Sequence, residues 1–144
     1  MRPSLRLVFS FYLVFTSAAS ADSIGEVSGI WRTVRHGALV NIVDCGNSTP
    51  CGVLVWASGA VFNGNTQDTR NRRPSLRERP LLGVPILWGF QPSSSGWQNG
   101  RVYNPEDGKT FRANLQLLSN NELRVTGCLG PLCRSQIWTR SSPP

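Results

Sequence analysis

Residues 110–126, TFRANLQLLSNNELRVT, carry the clearest structural signal in this 144-residue sequence. Apolar and polar side chains alternate without a break over residues 110–117, and the alternation resumes over residues 122–126. A repeat of two residues is that of a β-strand with one buried face. Between the two segments stand Asn120 and Asn121, which tolerate a positive φ and so favour a tight turn. The sequence therefore predicts a β-hairpin here.

Six more strands are predicted on either side of this hairpin, from short apolar or alternating segments that turn residues separate. They span residues 29–36, 39–44, 53–58, 81–90, 97–103 and 135–140. Residues 60–73 are rich in Asn, Thr, Asp and Arg, which predicts one long loop. A short helix is expected at residues 74–79, because Pro74 suits a first helical turn and Pro80 ends it.

The fold class predicted from this pattern is all-β: eight antiparallel strands in an up-and-down barrel, with one long loop that carries a short helix. Closure into a barrel removes the exposed strand edges that an open sheet would leave. A two-sheet sandwich is the alternative, because residues 53–56 (VLVW) are apolar on both faces and suit a strand of either fold. Periodicity alone does not choose between the two.

The first 21 residues have the features of a cleaved secretory signal. Arg2 and Arg6 give a basic start, residues 7–15 are apolar apart from Ser10, and Ala19 and Ala21 are the small residues that a signal peptidase reads. The apolar run is shorter than the roughly 20 residues that cross a bilayer, so no transmembrane segment is expected in the mature protein. The predicted organisation is a signal at 1–21, one barrel domain at 22–140 and a disordered tail at 141–144. The location that follows is periplasmic or secreted.

The composition of charged residues limits the classes of partner that we expect for this chain. Only 16% of the residues are charged, and 15 Lys and Arg stand against 8 Asp and Glu. Most of the basic residues are arginines, which pair bidentately with carboxylates and phosphates. Nucleic acid is not expected as a partner, because the aromatic residues are spread along the chain and are not interleaved with the arginines.

Four cysteines, Cys45, Cys51, Cys128 and Cys133, follow the predicted signal. An even number of cysteines in an exported chain predicts disulfides. We favour the pairs Cys45–Cys51 and Cys128–Cys133, each of which closes a short loop, among the three connectivities that four cysteines allow. A cysteine-only zinc site is the competing interpretation, since the single histidine is His36. No metal and no cofactor is predicted.

Seven short motifs stand in order along the chain: Gly29-Ile30-Trp31, Cys51-Gly52-Val53, Asp68-Thr69-Arg70-Asn71, Leu81-Leu82-Gly83, Tyr103-Asn104-Pro105-Glu106-Asp107-Gly108-Lys109-Thr110, Gly127-Cys128-Leu129-Gly130 and Ile137-Trp138-Thr139-Arg140. Together they resemble a bacterial secreted family catalogued as domain of unknown function 2147, from about Gly29 to Arg140. The resemblance implies an exported protein of Gram-negative bacteria with a lipocalin-like (calycin-like) barrel and no established activity.

The first motif, Gly29-Ile30-Trp31, is also similar to the Gly-x-Trp of the first lipocalin strand. In lipocalins the tryptophan fills one end of the barrel, and an arginine from the last strand lies across it. Arg140 occupies the matching position here. A flat guanidinium can stack on an indole, which is worth up to ~2 kcal/mol when both groups are desolvated. The role that the resemblance implies for Gly29, Trp31 and Arg140 is structural.

The strongest charge feature is a cluster of five arginines, Arg70, Arg72, Arg73, Arg77 and Arg79. Clustered guanidinium groups suit an anionic partner such as a lipid head group or an acidic polysaccharide. The alternative is a solvated loop whose arginines pair with neighbouring carboxylates and backbone carbonyls. Three of the five, Arg70, Arg73 and Arg77, are ligand-binding candidates.

Two polar residues beside this cluster, Asp68 and Asn71, are expected to hold the loop in place. Side chains of this kind bond to nearby backbone groups in loops. We expect Asp68 in addition to pair with Arg79 or Arg70. The predicted role of both residues is therefore structural.

No catalytic activity is predicted, because the sequence lacks a Gly-x-Ser-x-Gly motif, a phosphate-binding loop and a histidine cluster. Two functional hypotheses follow. In the first, the barrel binds a small apolar or amphipathic molecule, and Trp56 and Trp88 line its cavity. In the second, the barrel is filled by its own side chains, and the arginine cluster contacts an envelope partner or anionic lipid. Unfilled volume inside the barrel distinguishes the two.

Overall fold

The computed structural model describes residues 23–59 and 64–144. This part of the chain contains one α-helix, one 3₁₀ turn and nine β-strands. In chain order they are α1 (Ile24–Val27), β1 (Gly29–Arg32), β2 (Leu39–Asp44), β3 (Pro50–Trp56), the 3₁₀ turn (Pro74–Leu76), β4 (Pro85–Trp88), β5 (Gln91–Ser93), β6 (Gly96–Asn104), β7 (Lys109–Ser119), β8 (Glu122–Leu129) and β9 (Leu132–Arg140). The predicted signal lies outside the described residues, and so does the start of the predicted long loop.

The strands form one closed barrel. Hydrogen-bonded neighbours follow the order β4-β3-β2-β1-β9-β8-β7-β6-β5, and each pairing is antiparallel. A further pairing of β4 with β6, with Leu87 opposite Val102, joins the two sides of the sheet. Nine strands are numbered, but the closed ring contains eight of them, because β5 pairs with β6 alone and is not needed to close the ring. The predicted eight-stranded antiparallel barrel is therefore confirmed, and the closed ring leaves no place for a two-sheet sandwich.

The hairpin predicted at residues 110–126 is β7–β8, and its turn is at Asn120 and Asn121. Leu115 pairs with Val125, and both side chains are buried. The alternation of the sequence thus corresponds to the alternation of inner and outer faces in the barrel wall.

The strand predicted at residues 81–90 is wrong at its start. Gly83 has a φ of 88°, and the Val84 amide donates to the Leu81 carbonyl at 3.1 Å, so a turn precedes β4. The strand then breaks at Gly89, whose φ is 73°, before β5 resumes the pairing with β6. β4 and β5 are consequently two parts of one interrupted strand.

The strand predicted at residues 29–36 ends early, at Arg32. The Thr33 amide donates to the Ala38 carbonyl at 2.9 Å, and His36 takes a φ of 66°. A tight turn therefore joins β1 to β2 where the sequence pattern predicts strand.

Helical structure also differs from expectation. The predicted helix at 74–79 is only the 3₁₀ turn Pro74–Leu76, and α1 is not among the predicted elements. Ser23 and Glu26 form a capping box at α1, in which the amide of each residue donates to the side chain of the other. A helix of four residues is too short to show a helical repeat in its sequence.

An up-and-down barrel has its connections at alternating ends. The β2–β3, β5–β6 and β7–β8 turns and α1 lie at one end, which we call the closed end. The β1–β2, β6–β7 and β8–β9 turns and the long β3–β4 connection lie at the other, the open end.

One disulfide stands at each end of the barrel. Cys45–Cys51 closes the β2–β3 turn at the closed end, and its Cα atoms are 5.7 Å apart. Cys128–Cys133 joins β8 to β9 at the open end, where the two residues are directly opposite each other. Both predicted pairs are confirmed.

Apolar side chains fill the closed half of the barrel. Trp31, Val40, Ile42, Leu87 and Leu123 have no exposed surface at all. Since a void large enough for water would expose some of their surface, the interior around these side chains is packed solid. The part of the chain that the structure describes has no helix long and apolar enough to cross a membrane.

Candidate functional site

Trp31 and Arg140 close one end of the barrel. The Trp31 Nε1 donates to the Val27 carbonyl of α1 at 2.8 Å, and the Arg140 guanidinium lies 4.3 Å from the centre of the indole ring. Gly29 has a φ of 121°, and a Cβ at this position would lie 3.0 Å from Arg140 Nη1. The three residues that the Gly-x-Trp resemblance singles out are therefore together at the closed end.

Arg140 connects three elements with one side chain. Its Nη2 donates to the Glu26 carbonyl at 2.5 Å, its Nη1 to the Ser28 carbonyl at 2.9 Å, and its Nε to the Asn120 carbonyl at 2.5 Å. These bonds join α1, the start of β1 and the β7–β8 turn. A planar guanidinium with five N–H donors suits this role, because a lysine would offer three donors on a single atom.

At the open end the inner face of the barrel is mainly apolar, and it passes from partly buried to exposed side chains. A Cβ at Gly127 would lie 3.5 Å from Val102 Cγ1 and 3.7 Å from Phe111 Cβ, so these three residues share the inner face. Leu129 and Leu132, which pair with each other in the β8–β9 hairpin, continue this face outward. Their exposed fractions are 64% and 76%. An apolar wall therefore extends from the packed interior to the rim.

One cation stands on this apolar wall. Arg134 is opposite Gly127 and two residues beyond Leu132, which places it on the same inner face. Its side chain is exposed and belongs to none of the ion pairs found among the described residues. The Cys128–Cys133 disulfide holds the hairpin that carries it. Apolar side chains with a single unpaired guanidinium are complementary to an amphipathic anion.

The Glu106 carboxylate forms a bridge across the open end beside this wall, with His36 and Arg35 as its partners. His36 Nε2 of the β1–β2 turn lies 2.5 Å from Glu106 Oε1 of the β6–β7 turn, and Arg35 Nε is 4.0 Å from Glu106 Oε2. These turns are on opposite sides of the ring, separated by β9 and β8 one way and by β3 and β4 the other. The bridge therefore divides the open end, and the apolar wall lies on its β8–β9 side.

The predicted structural residues Asp68 and Asn71 lie together in a buried network on the outer wall of β6. Tyr103 donates to Asp68 Oδ1 at 2.5 Å, and Asn71 Nδ2 donates to Asp68 Oδ2 at 2.8 Å. Arg79 Nη2 is 2.8 Å from the same carboxylate, which has no exposed surface. Burial, the hydrogen bond and the negative charge of Asp68 together raise the pKa of the Tyr103 phenol.

The ligand-binding candidates among the arginines do not converge on one point. Arg70 donates to the Glu106 carbonyl at 2.6 Å, and Arg77 Nε donates to the Asn71 carbonyl at 2.8 Å. Both thus hold the loop, while the side chain of Arg73 is exposed and belongs to no ion pair among the described residues. Three of the five clustered arginines, Arg70, Arg77 and Arg79, thus bond to groups of their own loop or of the neighbouring β6–β7 turn.

The two candidate tryptophans are apart from the inner face at the open end. Trp88 alternates with the inward Leu87 and is opposite Arg101, so it lies on the outer wall. Trp56 ends β3 beyond a register shift, where it is opposite Leu39, the neighbour of the inward Val40, and its side chain is 39% exposed. Sequence reasoning missed Arg134 and the leucines beside it. The available signal was two leucines flanking a Gly-Pro turn between paired cysteines, where exposed polar residues are usual.

Comparison with known proteins agrees with this architecture. A structure of protein HP1028 from the human pathogen Helicobacter pylori, described as belonging to the lipocalin family, aligns with a TM-score of 0.67 at 24% sequence identity. The alignment covers 81% of this chain and 83% of that one. The likeness shows that the barrel is lipocalin-like. A search of curated proteins found no match.

A family model described as an uncharacterized protein conserved in bacteria, DUF2147, matches residues 29–140. The match begins at the glycine of the Gly-x-Trp motif and ends at the arginine that stacks on its tryptophan. Because it spans most of the sequence, the chain belongs to the DUF2147 family of uncharacterised bacterial proteins.

Proposed function

We propose that this protein is a non-catalytic binding module that holds a small amphipathic anion at the open end of its barrel. The observation that carries the proposal is Arg134, which belongs to no ion pair among the described residues, on an inner face formed mainly by Val102, Phe111, Leu129 and Leu132, with Gln136 as its polar neighbour along β9. Leucines this exposed at the rim gain free energy when a ligand covers them, up to about 1.5–3 kcal/mol for each side chain that becomes fully buried. Arg134 supplies the charged hydrogen bond that selects an anion.

The closed half of the barrel is packed, so the unfilled volume expected of a carrier is not found around these described side chains, and the proposed site is restricted to the open end. Trp31, Ile42 and Leu123 leave no room for a long chain to pass through the barrel. The apolar part of the ligand therefore lies along the inner face near the rim, and its anionic group reaches Arg134. This arrangement favours a compact amphipath over a long acyl chain.

The proposed location is the periplasm of a Gram-negative bacterium. Two disulfides support an oxidising compartment, since such bonds rarely persist in a cytosol. The predicted signal at residues 1–21 would export the chain, with a mature N-terminus at Asp22.

Titration with anilinonaphthalene sulfonate, an apolar anion, and with uncharged anilinonaphthalene tests the proposal. We expect saturable fluorescence with both probes and tighter binding of the sulfonate. Arg134→Gln should weaken sulfonate binding about tenfold, because a hydrogen bond to a charged group is worth about 1.5 kcal/mol or more, and leave the neutral probe unchanged. The double variant L129S/L132S should weaken both probes.

Arg112→Gln is the matched control, because Arg112 is an exposed arginine next in the strand to the buried Ala113 and therefore on the outer wall. Added salt should weaken the sulfonate alone, through screening. The proposal is wrong if neither probe saturates, or if Arg134→Gln and Arg112→Gln bind the sulfonate equally well.

A second candidate function is contact with an anionic envelope component through the arginine cluster. The observation in its favour is that the side chains of Arg72 and Arg73 are exposed and belong to no ion pair among the described residues. Co-sedimentation with vesicles of anionic phospholipid tests this function, and the double variant R72Q/R73Q should abolish it. This result, together with probe fluorescence that does not saturate, would favour the second function over the first.

A further inference from the structure

A polar groove of about 380 Å³ lies on the barrel at β5–β9, away from the rim residues described above. The side chains of β7–β9 that line it include Asn114, Gln116, Arg124 and Thr126. They alternate along their strands with the buried Ala113, Leu115, Leu123 and Val125, so they point away from the barrel interior. The groove is therefore a separate site on the outer wall.

A β-bulge builds one side of the groove. The pairing of β6 with β7 shifts register between Trp97 and Gly100, and Asn99 takes a φ of 58° within the shift. Asn114 Oδ1 accepts the Asn99 amide at 3.1 Å and so holds the bulge. A bulge bends its strand and re-aims the neighbouring side chains. Ser93 and Ser95 of the β5–β6 hairpin line the opposite side of the groove.

Hydrogen-bond donors predominate among the groups left available in the groove. Arg124 Nη1 donates to Gln116 Oε1 at 2.9 Å, which leaves the other guanidinium N–H groups and the Gln116 amide nitrogen facing solvent. Asn114 uses its oxygen on the bulge and keeps its Nδ2 donors. Thr126 and Ser135 share one bond of 2.7 Å between their hydroxyls, and each retains acceptor capacity. No carboxylate lines the groove, and its single charge is that of Arg124.

We propose that this groove binds a sugar that bears one anionic group, either a carboxylate or a phosphate. Arg124 and the two amide nitrogens supply donors to the anionic group, and the hydroxyl-bearing side chains match the alternating donors and acceptors of a sugar ring. The volume lies within the usual range for small-molecule sites. The inference is independent of the amphipath proposed for the open end, since the two sites share no residue.

Nuclear magnetic resonance titrations with glucose, glucuronic acid and glucose 6-phosphate test this inference. Saturable shifts of the Asn114 and Gln116 side-chain amides are expected with both anionic sugars, and weaker shifts with glucose. Arg124→Gln should reduce the affinity for the anionic sugars about tenfold, which corresponds to about 1.4 kcal/mol. Comparison of glucuronic acid with glucose 6-phosphate identifies whether a carboxylate or a phosphate is preferred.

Arg112→Gln serves as the control, since Arg112 is on the outer wall but does not line the groove. Inorganic phosphate alone should shift the same amides less than the phosphorylated sugar. The inference fails if none of the sugars saturates, if glucose binds as tightly as its acidic derivatives, or if inorganic phosphate binds as tightly as the sugar phosphate. None of these results bears on Arg134, so the open-end proposal stands or falls separately.

Discussion

Trp31→Ala should lower the free energy of unfolding by about 3–5 kcal/mol, one of the two largest effects expected for a single substitution in this barrel. The indole is completely buried, donates to the Val27 carbonyl, and carries the Arg140 guanidinium on its face. The substitution therefore leaves a cavity and removes the surface on which Arg140 lies. Urea unfolding followed by circular dichroism measures the loss. Trp56→Ala is the matched control and should cost far less, since that side chain is 39% exposed.

Arg140→Ala should cost less than Trp31→Ala, and the two losses should not add. They share the contact between guanidinium and indole, so the double variant should be more stable than the sum predicts by about 0.5–2 kcal/mol. If Trp31→Ala does not fold, the stability of Arg140→Ala can still be measured. This variant should fold, because the carbonyl groups that lose the guanidinium can bond to water instead. Losses that add within error would contradict the contact at the closed end.

Asp68→Ala should cost about 3 kcal/mol, at the lower end of the range for breaking a buried pair, because the Arg79 side chain that loses its partner is 28% exposed. The Tyr103 hydroxyl and the Asn71 amide lose their acceptor at the same time. Residues 64–84 should open locally, so trypsin should cut after the exposed Arg72 faster than in the wild type, whereas the Arg73–Pro74 bond resists trypsin. Glu122→Gln, a charge removed at an exposed strand end, is the control and should leave both stability and cleavage unchanged.

The same network predicts a loss of stability in alkali. Because the pKa of Tyr103 is raised in the folded protein, the unfolded chain releases this proton first as the pH rises. Stability from this group is complete below the ordinary tyrosine pKa of about 10 and declines as the pH rises above it. Tyr103→Phe should remove this part of the pH dependence. An unchanged alkaline profile in that variant would contradict the assignment to Tyr103.

The sequence was sufficient for the β7–β8 hairpin because local alternation alone defines it. Only strand pairing across the ring distinguishes a barrel from a sandwich, and the apolar run VLVW of β3 suits both. Boundaries at β1 and β4 were wrong where His36 and Gly83 turn the chain at positive φ. Both disulfide pairs were predictable, because cysteines five or six residues apart can close a local turn.

The candidate site was less predictable than the fold. The two-residue turn at Gly130 and Pro131 sets the β8–β9 register locally, but which face of the hairpin is the inner one depends on closure of the ring through pairs distant in sequence, such as β1 with β9. Trp88 is the opposite case, a residue predicted for the site that lies elsewhere. Its aromatic side chain was predicted to line a cavity, but its position next to the inward Leu87 puts it on the outer wall. The arginine cluster was visible in the sequence, but its bonds to Asp68, to Asn71 and to Glu106 were not.

Paramagnetic broadening of methyl resonances tests the proposed ligand site most directly. A short-chain fatty acid that carries a nitroxide at its apolar end would be added to protein labelled at its leucine and isoleucine methyl groups. We expect Leu129 and Leu132 to lose intensity first, Ile42 and Leu123 in the packed half to keep theirs, and the effect to be weaker in Arg134→Gln. Broadening that is strongest at Ile42 or Leu123, or no selective broadening at all, would contradict a binding site at the open end of the barrel.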